Sequence, residues 1–368
     1  MSVSTIIIYI MVAFMFWGAI DKVFLNNRFG YGAQFEEGIN TMGPLAMSMV
    51  GIMCLAPVIG NILTPIVAPA FNLIGADPAM FSGSLLAIDM GGFPLAQVMT
   101  SNQDIVVLSG ILLASMLGCT IVFSIPVSLS IVEEKDKTFL AKGMMIGIIS
   151  IPFGTFIGAM IAGIPVLLTL INIVPAALLS ILLAIGLWKI PNGLLKGFSV
   201  FSKIITIIIV MSFACAIVEG LTGIAIIPGM DPIGPQLEII GTIAITLAGA
   251  YPLVHFITTT MSKLLSKFGK ILGVNDIAVA GMIAALANSI PTFGMVKDMD
   301  NRGKVIAIAF AVPAVAALGD HLGYVSANAP EYLLPLVIGK VAAGIIAVLV
   351  ALLFLKNDKN EAIKVEGE

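Results

Sequence analysis

Apolar residues fill this chain in long uninterrupted blocks, with neither the two-residue alternation of a half-buried strand nor the one-sided stripe of a surface helix. A helix needs roughly 20 mostly apolar residues to cross the hydrocarbon core of a bilayer. Nine blocks reach that length, at 4–25, 43–62, 105–132, 139–162, 165–188, 198–219, 237–261, 304–325 and 332–355, and each is read as a membrane-spanning helix. Two further stretches, 80–99 and 277–296, are apolar at both ends but interrupted in the middle. The interruptions read Asp89-Met90-Gly91-Gly92-Phe93-Pro94 and Asn288-Ser289-Ile290-Pro291-Thr292. A break in a helix leaves amides and carbonyls unpaired, which is tolerated at membrane depth only against protein or a wet cavity. Each break therefore marks a cavity.

Charge decides whether those two stretches cross the membrane, because Lys and Arg in short loops mark the cytoplasmic side. If both are re-entrant hairpins and the N-terminus is outside, every basic residue except Lys340 falls inside. The groups are Lys22 and Arg28; Lys135, Lys137 and Lys142; Lys189, Lys196 and Lys203; Lys263, Lys267 and Lys270; Lys297, Arg302 and Lys304; and Lys356, Lys359 and Lys364. If both stretches cross, the same residues divide almost evenly between the two sides. The hairpin topology is the one with a bias.

The order of elements also repeats at an interval of about two hundred residues. Pro57 matches Pro252, Gly75-Ala76-Asp77 resembles Gly273-Val274-Asn275, Pro94 matches Pro291, and Gly118-Cys119-Thr120 resembles Gly319-Asp320-His321. The expected layout is a first repeat over 1–163 with hairpin 80–99, a linking span over 164–190, a second repeat over 191–355 with hairpin 277–296, and a polar cytoplasmic tail over 356–368. The first repeat starts outside and the second inside, so the repeats are inverted. Inverted repeats with paired broken helices are a mark of secondary transporters, whose sites lie at the breaks.

Composition agrees: 59% of residues are apolar and only 11% charged, against about 25% charged in a soluble domain. A net charge of -3 with no basic face gives no reason to expect a nucleic-acid partner. Cys54, Cys119 and Cys215 each sit inside an apolar run and form neither a disulfide framework nor a metal pattern. The first block, lacking a basic leader and a convincing cleavage site, is expected to be retained as a span. Glycines such as Gly143, Gly147, Gly154 and Gly158, several at intervals of four, suit close helix approach. No Walker loop, zinc-protease helix or nucleophile elbow is present, so neither an enzyme nor an ATP-driven pump is expected, and no cofactor or metal.

The chemistry then rests on the few polar residues placed where lipid disfavours them. Asp89, with Gly91 and Gly92 beside it at the first break, reads as a counter-ion for a cationic substrate, as a proton carrier, or as a helix cap. Asn288, Ser289 and Thr292 at the second break offer neutral hydrogen-bonding groups, with capping the expected role of at least one. Asp320 and His321 complete the candidate substrate site, although an Asp320–Lys340 ion pair that only stabilises the bundle is an alternative. Glu219, His255 and Lys340 are candidates for an ion or proton relay, Glu219 being expected at the rim. Trp17, Tyr251 and Tyr324 are the aromatics available to face an ammonium group, and Trp188 suits a headgroup anchor.

The stretches Phe35-Glu36-Glu37-Gly38-Ile39-Asn40, Leu85 to Pro94 and Ala317-Leu318-Gly319-Asp320-His321-Leu322-Gly323 resemble the ethanolamine-utilisation permease family, EutH, and the similarity runs over essentially the whole chain. The resemblance implies a bacterial inner-membrane protein that brings ethanolamine into the cytoplasm for catabolism. The partners expected are ethanolamine and membrane lipid, with association between copies of the chain left open. Ethanolamine is mostly a cation at neutral pH, and a small buried cation needs a carboxylate or several oriented carbonyls. Asp89 fits that demand, and Asn288, Ser289 or Thr292 could read the hydroxyl. The expected function is permease transport by alternating access, elevator-like by analogy. Transport of another small polar metabolite, such as a nucleoside or amino acid, and a passive channel are the alternatives.

Overall fold

Hydrocarbon offers backbone amides no water to pair with, and a helix pairs them within one segment, so the apolar blocks wind into helices. The computed structural model describes residues 3–260, 269 and 271–365, and no strand occurs among them. Lys263, Lys267 and Lys270 and the end of the span expected to close at 261 lie outside the described residues, as do 366–368.

The first half contains α1 (Val3–Phe24), α2 (Tyr31–Asn40), α3 (Met42–Asn72), the short α4 (Met80–Leu85) and α5 (Phe93–Met99), then α6 (Gln103–Ile131) and α7 (Lys137–Ile161). The second contains α8 (Val166–Lys189), α9 (Pro191–Thr222), α10 (Ile233–Thr260), α11 (Asp276–Ala287), α12 (Ser289–Met295), α13 (Asn301–Ala314), α14 (Asp320–Asn328) and α15 (Leu333–Val365). Among the described residues, 8 helices are long and apolar enough to cross a membrane, and they coincide with eight of the nine expected spans. The chain is a polytopic all-helical membrane protein. The polar tail continues α15 as helix as far as Val365.

The ninth expected span, 304–325, is a correction. It is split into α13 and α14 by an irregular turn in which Ala316 has φ 54 and Gly319 has φ -117, ψ -130. The turn is stable because its amides find acceptors outside their own helix. Ala316 N donates to Ala285 O at 2.8 Å and Leu318 N to Leu286 O at 2.7 Å. Those carbonyls lie in the last turn of α11, where helix geometry leaves them without partners. Pro313, which has no N–H to give, lies just before the break.

Both interrupted stretches double back. Thr100 Oγ1 donates to Asp77 Oδ2 at 2.8 Å, so the residues flanking the α4–α5 pair meet, and Asp77 N is anchored on Asn172 Oδ1 of α8 at 2.7 Å. At the other pair, Asn275 N donates to Asp300 Oδ1 at 2.8 Å, and Thr292 Oγ1 of α12 donates to Gly281 O of α11 at 2.7 Å. Between α4 and α5 lies a π-type turn, Ile88–Gly92, with Gly91 at φ 104. A Cβ at Gly91 would stand 2.5 Å from Ile52, so both the torsion and the space demand glycine.

Two helices form the centre. The stretch Val106–Gly118 of α6 is wholly buried and wound with π-type spacing, and α13 is buried from Gly303 to Ala314. A π-helical run is uncommon, and such widened turns concentrate at functional sites. Around this centre, α7 packs on α8, α13 and α15, while α10 packs on α1, α2 and α14. The glycine row of α7 lets partners approach closely: added methyls at Gly143 and Gly147 would meet Ile308 and Val312 of α13, and one at Gly154 would meet Ala343 of α15. The outer helices α1, α8 and α9 turn side chains such as Phe16, Leu182 and Met211 outward, as lipid contact requires.

One lysine in the first turn of α13 is buried. Lys304 pairs with Asp136 at 2.6 Å, with side chains only 8% and 2% exposed, and its ammonium also stands 5.3 Å from the centre of the Phe139 ring. This pair joins the connection before α7 to the start of α13.

Candidate functional site

The three irregular segments converge on one small cavity of ≈ 40 Å³, large enough to hold water. The first break supplies Asp89 and Met90, and α6 supplies Cys119 and Phe123. Asn288 comes from the second break, and Val315, Ala316, Asp320 and His321 from the third. A larger hollow of ≈ 380 Å³ lies among Lys137, Lys142, Leu187 and Trp188, at the ends of α7 and α8, and none of the breaks reaches it. Size alone does not select the site; the broken helices and the buried charges do.

Asp89 sits on the π-type turn rather than on a helix end, and it caps nothing: α5 has no side-chain cap and begins after Gly92. Its side chain is 19% exposed and lies 4.0 Å from His321 Nε2. The capping half of the alternative is thereby removed. Asn288, by contrast, is a cap, since its Oδ1 accepts from Ile290 N at 2.9 Å while the residue also lines the cavity.

Asp320 begins α14, and its Oδ1 accepts from the hydroxyl of Tyr251, on α10, at 2.9 Å. Asp320 does not pair with Lys340. The ammonium of Lys340, on α15 and 0% exposed, donates instead to the carbonyl of Ser115 on α6 and lies 3.1 Å from His321 Nδ1. His321 thus stands between Lys340 on one side and Asp89 on the other. Lysine has no acceptor, so a charged Lys340 requires Nδ1 to accept and leaves the ring hydrogen on Nε2, facing Asp89.

The helix ends at the cavity oppose one another. C-terminal ends of α11 and α13 bring partial negative charge, and N-terminal ends of α12 and α14 bring partial positive charge. These contributions are partial and of opposite sign, whereas the side chains bring full charges.

Other sequence candidates lie elsewhere. Gly91 and Gly92 permit the turn and do not line the cavity; a Cβ on Gly92 would stand 2.7 Å from Leu86 O. Thr292 ties α12 to α11, and Ser289 is fully buried with an unpartnered hydroxyl. Glu219 is half-buried in the last turn of α9, outside the cavity lining. His255 Nε2 meets Phe29 O at 3.1 Å and its ring packs edge-on against Tyr31, also outside the cavity. Trp17 belongs to that same aromatic group, its ring centre 6.4 Å from those of Phe29, to which it is tilted, and Tyr31, which it meets edge-on. Tyr324 is buried against Phe93.

Sequence reasoning missed Met90, Phe123, Val315 and Ala316, and treated Cys119 as packing alone. The spacing of Cys119 and Phe123 on α6 was a usable signal, since residues four apart lie on one side of a helix. It also passed over Asp21, a fully buried carboxylate that accepts from Gly32 N at 3.1 Å and Phe29 N at 3.2 Å and so organises the turn between α1 and α2.

A family model described as "Ethanolamine utilisation protein, EutH" matches residues 3–354. A protein of Listeria monocytogenes named "Probable ethanolamine permease EutH" is 50% identical over 352 residues, covering 96% of this chain and 94% of its own. Proteins of the same name from Salmonella typhimurium and Escherichia coli are 43% and 42% identical over 405 residues, covering 100% of this chain and 99% of theirs. A Bacillus subtilis protein, "Uncharacterized protein YxeR", is 43% identical over 95% of both chains. No solved structure matches.

Proposed function

The chain belongs to the EutH family of ethanolamine utilisation proteins, and on that premise we propose that it is a secondary-type transporter that imports ethanolamine across the bacterial inner membrane by alternating access. The observation that carries this reading is the meeting of two carboxylates, Asp89 and Asp320, at a small cavity enclosed by three helix breaks. An ammonium group gains charge-assisted hydrogen bonds from such carboxylates in a water-poor setting. Asn288 is the neutral amide on the lining that can meet the hydroxyl of the amino alcohol. Asp89 and Asp320 bind the ammonium, Tyr251 orients Asp320, and His321 positions Asp89.

The α4–α5 and α11–α12 pairs act as opposed re-entrant hairpins, one from each leaflet, within two inverted repeats. Two findings support this. The flanks of each pair are joined by hydrogen bonds, and Leu86 and Ala287 are separated by the same interval as Gly118 and Gly319. In each half the glycine lies against the matching carbonyl, with a Cβ at Gly118 or Gly319 standing 1.9 or 2.0 Å from it. Two such pairs provide one gate for each side, which suits an elevator-like movement with the N-terminus outside and the C-terminus inside.

Counterflow in proteoliposomes tests the function. Vesicles loaded with unlabelled ethanolamine are expected to accumulate the labelled compound transiently and saturably, which a passive channel does not do. Absence of saturable exchange, or equal exchange of an amino acid or nucleoside, refutes the assignment.

A further inference from the structure

Counting the charges around the cavity leads one step beyond ethanolamine transport, and the step rests on that reading of the site. The groups facing it are Asp89 from the first break, Cys119 from α6, Asp320 and His321 from α14, Tyr251 from α10 behind Asp320, and Lys340 from α15 behind His321. Two carboxylates stand against one ammonium. The helix ends add partial charges of both signs to that balance.

Lys340 is not used as a structural ion pair. It is wholly buried, and among the described residues no carboxylate oxygen lies within 4.0 Å of its ammonium; its contacts are the Ser115 carbonyl and His321 Nδ1. A buried charge held only by neutral acceptors keeps its field, because no adjacent opposite charge cancels it and little water screens it. The field extends through the imidazole towards Asp89, whose carboxylate faces the other ring nitrogen at 4.0 Å.

We propose that Lys340, held between His321 and the Ser115 carbonyl, is a built-in counter-cation that leaves the cavity one net negative charge and thereby makes it accept singly charged amines and reject doubly charged ones. A single ammonium neutralises the site. A second one meets Lys340 with no carboxylate left to balance it. The residue is thus a specificity determinant that need not touch the substrate.

The probe pair is ethanolamine and 1,2-diaminoethane, equal in length and differing by a second ammonium in place of the hydroxyl. Binding of each is measured by competition with labelled ethanolamine on the purified full chain near neutral pH, with the discrimination scaled to the share of the diamine that carries both charges. One unit charge at about 8 Å with an effective dielectric of about 20 corresponds to a discrimination on the order of thirtyfold. The wild type is expected to prefer ethanolamine by at least that factor. Lys340→Met, which keeps the length and removes the charge, is expected to shift the ratio towards the diamine by on the order of thirtyfold, whereas Lys340→Arg retains the wild-type preference. Equal binding of the two amines by the wild type overturns the proposal without any variant, which covers the case of a substitution that does not fold. An unchanged ratio in folded Lys340→Met overturns it as well. Loss of ethanolamine binding by the wild type itself is a different result: it removes the transport reading on which the proposal stands.

Discussion

A methyl group added at Gly118 or Gly319 tests whether the two breaks are built by close backbone contact. At Gly118 the new Cβ would stand 1.9 Å from Leu86 O, and at Gly319 it would stand 2.0 Å from Ala287 O. Both distances are more than an ångström inside ordinary contact, and the opposing atom is a backbone carbonyl that cannot swing aside. Overpacking of a tight core costs about 1–3 kcal/mol and more where the backbone must shift, so each Gly→Ala change is expected at the upper end of that range. Gly197 is the control: it lies on the exposed side of α9 with nothing within 4 Å of the added methyl. There alanine removes backbone freedom and is expected to be neutral or stabilising by up to about 1 kcal/mol. Thermal unfolding of the three purified variants in one detergent, together with ethanolamine binding, reads the difference. Gly118→Ala and Gly319→Ala as stable as Gly197→Ala, with binding intact, would refute the close-contact account of the breaks.

The buried Lys304–Asp136 pair predicts a similar asymmetry: Lys304→Met leaves a buried carboxylate alone and is expected to cost about 3–5 kcal/mol, while Lys304→Met with Asp136→Leu recovers most of it, as a thermal-unfolding double-mutant cycle would show. Equal losses in the single and double variants would contradict that. The proposed orientation predicts that a cysteine at Ser101 reacts with an impermeant reagent added outside and one at Asp300 only from inside, in intact cells against inverted vesicles; the reverse pattern would invert the hairpins.

Much of the architecture was legible because lipid leaves the backbone few options: a block of about twenty apolar residues winds into helix unless neighbouring protein offers its amides other acceptors. The two breaks at Asp89 and Asn288 announced themselves through a charged or amide side chain set among Gly and Pro in apolar surroundings. The third was hidden. From Val312 to Gly319 the chain is Val-Pro-Ala-Val-Ala-Ala-Leu-Gly, which suits an unbroken span, and what breaks it is a set of acceptors at the end of α11 that no local pattern reveals. The same reasoning applies to the site. Asp89, Asp320 and His321 were marked by their cost in lipid, whereas Met90, Phe123 and Val315 are ordinary apolar residues whose place on the cavity follows from packing. Lys340 was visible as an anomaly, but its partner was not; the choice between Asp320 and His321 depended on Tyr251 reaching Asp320 from another helix.

The account depends most on Asp89 holding the ammonium. Asn is nearly the same shape and retains hydrogen-bonding capacity, so Asp89→Asn removes the charge while keeping the turn. A hydrogen bond to a charged group is worth about 1.5–3 kcal/mol, so counterflow of labelled ethanolamine by folded Asp89→Asn in proteoliposomes is expected to require at least tenfold more substrate or to fall below detection. Wild-type exchange and affinity in that variant would contradict the assignment of the site.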